Sequence, residues 1–162
     1  MKRTTIIEII IFLYVILFIY TGISKLIEYS VFREQLSESP ILAPIAPLIA
    51  ATLPWFEFLL ALMLIIPRWR LKGLYSSLGL MTTFTIYVIA LLSFNNELPC
   101  SCGGILQQLS WPQHLVFNSS FIALAICGII LKKRQKKENR KEWNLNEYQL
   151  FERSAKKISN SE

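Results

Sequence analysis

The chain has 162 residues, of which 53% are hydrophobic and only 17% charged, with a formal net charge of +6. Soluble domains carry about 25% charged residues, and here the apolar residues come in long blocks rather than on single faces, which sets aside an ordinary water-soluble domain. Nucleic-acid binding is set aside as well: ten of the 17 basic residues lie from Lys132 onward, directly behind an apolar block, where they read as a topology signal that also touches anionic headgroups.

A bilayer core of about 30 Å needs roughly 20 apolar residues per helix, and four such spans fit. The first runs over about residues 5–29, with Ile9 to Ser24 free of charge; its length and the lack of a small-residue cleavage site predict a retained helix rather than a removable signal peptide. A polar stretch from Tyr29 to Pro40 follows. Then comes the proline-broken run Ile41 to Pro47, which predicts an irregular or re-entrant piece at the interface. The second span covers about residues 48–66, with Pro54 as the expected site of a bend, and a basic hairpin, Pro67 to Lys72, leads into the third at 73–94. Residues 95–110 form a cysteine loop. The fourth span, 111–131, opens with a capping box in which Ser110 precedes Gln113. The expected fold is an all-α bundle of four transmembrane helices over residues 1–131. A basic tail over 132–162 is expected to be solvated, either as a surface helix after Asn144 or without order.

Basic residues set the orientation. Lys2, Arg3, Arg68, Arg70, Lys72 and the ten in the tail fall on one side, 15 of 17. That side is expected to be the cytoplasm, with both termini in it, and the cysteine loop is expected on the periplasmic face of a bacterial inner membrane.

Pro99-Cys-Ser-Cys-Gly-Gly104 is the most informative stretch. A disulfide across one residue closes a tight ring near the limit of acceptable geometry, and strained disulfides tend to be exchange-active. Glycines at 103 and 104 supply the backbone freedom for such a ring. Cys100 and Cys102 therefore point to a reversible dithiol/disulfide pair. Two other readings stand beside it: a structural disulfide that shapes the loop, and a metal site, for which two thiolates and His114 make three ligands without a fourth. Cys127, within the fourth span, is expected to be an inert buried thiol.

Glu57 falls about 13 Å into its span by the rise of a helix. An ionised carboxylate at the bilayer centre costs about 2.5 kcal/mol or more, so Glu57 is protonated, paired or turned to a polar cavity. Its functional reading is a proton-accepting or cofactor-orienting group. Lys25 is expected to snorkel to the outer interface, with an ion pair to Glu28 or Glu57 as the other option. In the fourth span Trp111, His114, Asn118 and Phe121 share one helical face. Aromatic walls with hydrogen-bonding groups suit a quinone ring, and His114 titrates near neutrality. Trp111 as an interface anchor and Asn118 as a helix–helix bond are the structural alternatives.

Three motifs carry a family resemblance: Tyr20-Thr-Gly-Ile-Ser-Lys25, Pro54-Trp-Phe-Glu57, and Cys100-Ser-Cys-Gly-Gly104 followed by Trp111-Pro-Gln-His-Leu-Val-Phe-Asn118. With these the chain resembles the MauE/DoxX family of redox-associated membrane proteins, in the form common in Bacteroidota, over roughly residues 5–131. The resemblance implies a four-helix bundle serving thiol/disulfide chemistry outside the cytoplasm, beside a thioredoxin-like or disulfide-containing partner, with DoxX relatives tied to quinone-linked respiratory complexes. It implies Cys100 and Cys102 as the redox pair, with Glu57, His114 and Asn118 as supporting groups; Trp111 joins these as a quinone-binding residue on the helical-face reading alone. The competing expectation is a scaffold or accessory subunit with a structural disulfide.

Overall fold

The computed structural model describes residues 3–39, 41–94 and 111–159. In chain order these form α1 (Arg3–Ile27), α2 (Tyr29–Glu38), one 3-10 turn (Ala43–Ile45), α3 (Ala46–Ile65), α4 (Arg70–Phe94) and α5 (Trp111–Ser159). Among the described residues there is no strand. Among the same residues, four segments are long and apolar enough to cross a membrane: Thr4–Ile27, Ala43–Ile65, Arg70–Ala90 and a window within Gln113–Arg153. The chain is an all-α, multi-pass membrane protein.

Lipid offers no hydrogen bonds, so a spanning segment must satisfy its own polar groups. The helices do so even at their hydroxyls. Ser77, Thr82, Thr85 and Ser93 each donate to the carbonyl four residues back, at 2.8 to 3.0 Å.

Two stretches before α3 bear on the packing, and the first differs from expectation. The polar segment after the first span is not merely a connection: α2 is an amphipathic helix that buries Phe32 and Leu36, four residues apart, against Ala46 and Ala50 of α3. The proline-broken run takes the irregular form of its two expected ones. It condenses to a single 3-10 turn, and α3 starts at Ala46 with proline in its first turn, where the missing N–H leaves no gap in the ladder. Pro54 sits inside α3, buried, and the helix runs through it to Ile65.

Helices α3 and α4 meet through a tight turn, in which the Trp69 and Arg70 amides donate to the Ile66 carbonyl at 3.0 and 3.1 Å. This hairpin end is close-packed. A Cβ on Gly73 would lie 3.0 Å from Leu64 Cδ2 and 3.3 Å from the Leu64 amide nitrogen, and one on Gly128 would lie 3.3 Å from Ile10. Ile10, Leu64 and Leu74 are buried there. The Arg70 guanidinium donates to Glu8 of α1 and, through Nε, to the Leu64 carbonyl at 3.3 Å. Farther along, α5 is tied to α1 by the Tyr14 hydroxyl, which donates to the Phe121 carbonyl at 2.6 Å, with the two rings edge to face at 5.2 Å.

The chain divides into two compact units, Met1–Ile129 and Ile130–Glu162. The second is helical to Ser159, so the tail is ordered helix well before Asn144. Its aromatic and aliphatic residues Trp143, Leu145, Tyr148, Leu150 and Phe151 are all exposed.

Candidate functional site

Phe18, Thr21 and Lys25 of α1 are spaced by three and four residues and so fall on one face. They meet Leu53 and Glu57 of α3, Leu80, Met81 and Phe84 of α4, and His114, Phe117 and Asn118 of α5 around a small internal cavity of about 40 Å³. Four of these side chains are polar and nearly removed from the surface: Lys25 is 2% exposed, Glu57 6%, His114 1% and Asn118 4%. A volume of this size holds a water or two, or one oxygen-bearing edge of a larger molecule.

Lys25 Nζ lies 2.8 Å from Glu57 Oε1. Side chains on a helix lean toward its N-terminus. The lysine stem accordingly turns back down α1, where Nζ also approaches the Thr21 carbonyl at 3.5 Å and the Phe32 ring at 5.7 Å from its centroid. The snorkelling expected of Lys25 is therefore replaced by its alternative, the ion pair with Glu57. Pairing offsets part of the cost that either charge carries in the membrane interior.

The pair leaves two polar atoms over. Glu57 Oε2 and Asn118 Nδ2 are buried without a hydrogen-bond partner. One is an acceptor and the other a donor, and both residues line the cavity. Buried polar atoms left open in this way call for a partner, either water or a polar group of a ligand.

A family model described as methylamine utilisation protein MauE matches residues 3–131. The chain belongs to the MauE family. No curated protein and no solved structure matches it significantly.

In this MauE-family chain the structure brings Glu57, His114 and Asn118 together on one cavity wall. Helix α5 starts at Trp111, but the Trp111 side chain lies outside the described residues, as do Cys100 and Cys102. Phe121, the fourth residue on the predicted face, contributes its carbonyl to Tyr14 rather than its ring to the cavity. Cys127 differs from expectation: it is a free thiol on the exposed side of α5, while its neighbours Ala125 and Gly128 face inward. Depth in a span says how apolar the surroundings are, and only the helical phase says whether they are protein.

Sequence reasoning missed Thr21 as a wall of the cavity, and Phe32 as the aromatic cover of Lys25. The 18, 21, 25 spacing was a usable signal for the first. The second needed α2 to be recognised as a helix.

The same region adjoins a larger space. A groove of about 530 Å³ between α2, α3 and α4 is lined almost wholly by apolar side chains, among them Phe32, Leu36, Trp55 and Leu59. Leu53, Leu80 and Phe84 line both the groove and the polar cavity.

Proposed function

We propose that this MauE-family protein is a membrane thiol–disulfide redox protein. It exchanges electrons between a thioredoxin-like or disulfide-containing protein on the periplasmic face and a quinone in the membrane, through Cys100 and Cys102. The orientation rests on the 15 basic residues that sequence order assigns to one side. The family description supplies the setting, methylamine utilisation. The observation that carries the reading is the buried cluster of Lys25, Glu57, His114 and Asn118 with its two open polar atoms. It is built partly from the first turns of α5, the helix that directly follows the cysteine loop in sequence. The two looser motifs of the resemblance, the one ending in Lys25 and the one ending in Glu57, are the two whose ends meet in the ion pair.

The residues suit a quinone at its oxygen. Asn118 Nδ2 is a free donor for a carbonyl oxygen, Glu57 Oε2 is a free acceptor for a hydroxyl, and Phe18, Phe84 and Phe117 supply apolar ring walls. When bound, a quinone supplies a two-electron, two-proton sink.

The thiol half balances as follows. A thiolate of the partner dithiol attacks the Cys100–Cys102 disulfide, a mixed disulfide forms, and the second partner thiol resolves it. The partner leaves as a disulfide, and Cys100 and Cys102 are left as thiols. Reformation of the Cys100–Cys102 disulfide releases two electrons and two protons, which a bound quinone would take up, and the reverse direction would use the same groups. Lys25 holds the Glu57 carboxylate in place through Oε1, which leaves Oε2 as the atom that takes up or gives back a proton. His114, enclosed on the same wall, is the second group there able to carry one.

Thiol trapping in growing cells tests this reading. The oxidation state of Cys100 and Cys102 is expected to shift toward the dithiol when quinone is depleted, and a single Cys102→Ser or Cys100→Ser variant is expected to trap a mixed disulfide. A pair that stays fully oxidised in every condition, with partner thiols unchanged in the Cys100→Ser/Cys102→Ser variant, would hand the role to a scaffold with a structural disulfide.

A further inference from the structure

The groove between α2, α3 and α4 is a space that the polar cluster does not account for. Its volume of about 530 Å³ falls within the range of ligand pockets, roughly 300–1,000 Å³. It is not a sealed void. Thr52, Trp55, Leu59 and Thr83 on its rim are exposed, so it opens sideways, toward the acyl chains that would surround the helices.

Three observations say what kind of molecule suits it. The lining offers almost no polar surface, and the Thr52 hydroxyl is already committed to the Leu48 carbonyl at 2.8 Å, so a polar ligand would find little to bond. The inner end of the groove is walled by Leu53, Leu80 and Phe84, whose other sides face the polar cavity. Phe32 lines the groove and also covers Lys25 Nζ, tying the same two spaces together a second time. A polar cavity for one oxygen-bearing edge, sharing three lining residues with an apolar groove open to lipid, suits a single-headed amphiphile with an apolar tail.

We propose that the α2–α3–α4 groove holds the isoprenoid tail of the membrane quinone, so that the tail selects and positions the head at the Glu57–Asn118 cavity. The proposal rests on the quinone reading above. It adds that recognition is divided, with the tail bound in the outer groove and the oxygen bound in the cluster.

The test measures binding to the purified full-length chain in lipid nanodiscs. The probes are a quinone with a long isoprenoid tail and the same ring without a tail. The variants Thr83→Trp and Thr52→Trp fill the groove and touch none of the polar cluster. Each is expected to weaken the tailed quinone at least tenfold, about the effect of excluding two methylene-sized groups from an apolar site. Binding of the tailless ring is expected to be unchanged, which also shows that the variants fold. Equal weakening of both probes, or of neither, would overturn the tail assignment and leave the quinone reading standing. No binding of either probe to the unmodified chain would remove both together. A photoreactive phospholipid that labels the groove and is not competed by the tailed quinone would make the groove a site for a lipid acyl chain instead. Competition by the tailed quinone alone would support the proposal.

Discussion

The two ends of the bundle in the first unit solve different problems with the same helices. At the hairpin end Gly73 and Gly128 let backbones and leucines approach closely, and the side chains between them are Ile10, Leu64 and Leu74, all apolar. Farther along the helices, roughly 10 to 22 Å by helical rise, the interior instead carries a lysine, a glutamate, a histidine and an asparagine around a cavity. Small residues drive helix association in lipid because dispersion contacts replace the missing hydrophobic effect. The contrast teaches that close packing at one end supplies the rigidity with which open polar atoms can be held at the other.

Breaking the polar end should have the largest effect. Replacing one partner of the buried pair, in Lys25→Met or Glu57→Leu, leaves an unpaired charge and should cost about 3–5 kcal/mol. The double replacement should recover most of that loss. Denaturant unfolding in mixed micelles measures it; two small single effects that simply add would mean the pair is solvated. The packed end should respond to volume. Gly73→Ala pushes a methyl toward the Leu64 backbone and should cost about 1–3 kcal/mol by the same measurement. Gly79→Ala is the control: a Cβ there meets nothing within 4 Å, and higher helix propensity should make it neutral or stabilising by up to about 1 kcal/mol.

Between the two ends, Tyr14→Phe deletes one interhelical hydrogen bond and should cost about 0.6 kcal/mol, the typical value inside membranes. The smallest effect belongs to the other interhelical ion pair. Glu8 and Arg70 have side chains 49% and 17% exposed, against 7% and 3% for Glu57 and Lys25. Glu8→Gln should therefore change stability by less than about 1 kcal/mol, and added salt should shrink even that. A loss comparable to that of Glu57→Leu would show that exposure does not separate the two pairs.

The four spans were legible because bilayer thickness writes itself into composition: the expected spans 5–29, 48–66 and 73–94 lie within a few residues of Thr4–Ile27, Ala43–Ile65 and Arg70–Ala90. The shared face of His114 and Asn118 was legible from helical spacing, and both do turn inward to one cavity. Snorkelling was expected of Lys25 because a lysine two residues from a helix end is equally able to reach outward or fold back, and only the position of Glu57 on another helix decides between them. Helix α2 was passed over although Phe32 and Leu36 stand four apart, because its charges suggested a loop. The groove could not be read at all, since it is made of ordinary lipid-compatible residues from three helices and exists only in their spacing.

The exposed thiol of Cys127 gives every oxidation experiment on this chain an internal standard. Sitting on the outer flank of a spanning helix, it is open to alkylating reagents that dissolve in lipid and screened from charged ones. Labelling the same sample with one reagent of each kind would separate the sulfurs by solvent rather than by chemistry. With the cysteine loop outside the lipid, as proposed, the charged reagent would count whichever loop thiols are reduced, and the additional label from the lipid-soluble one would count molecules.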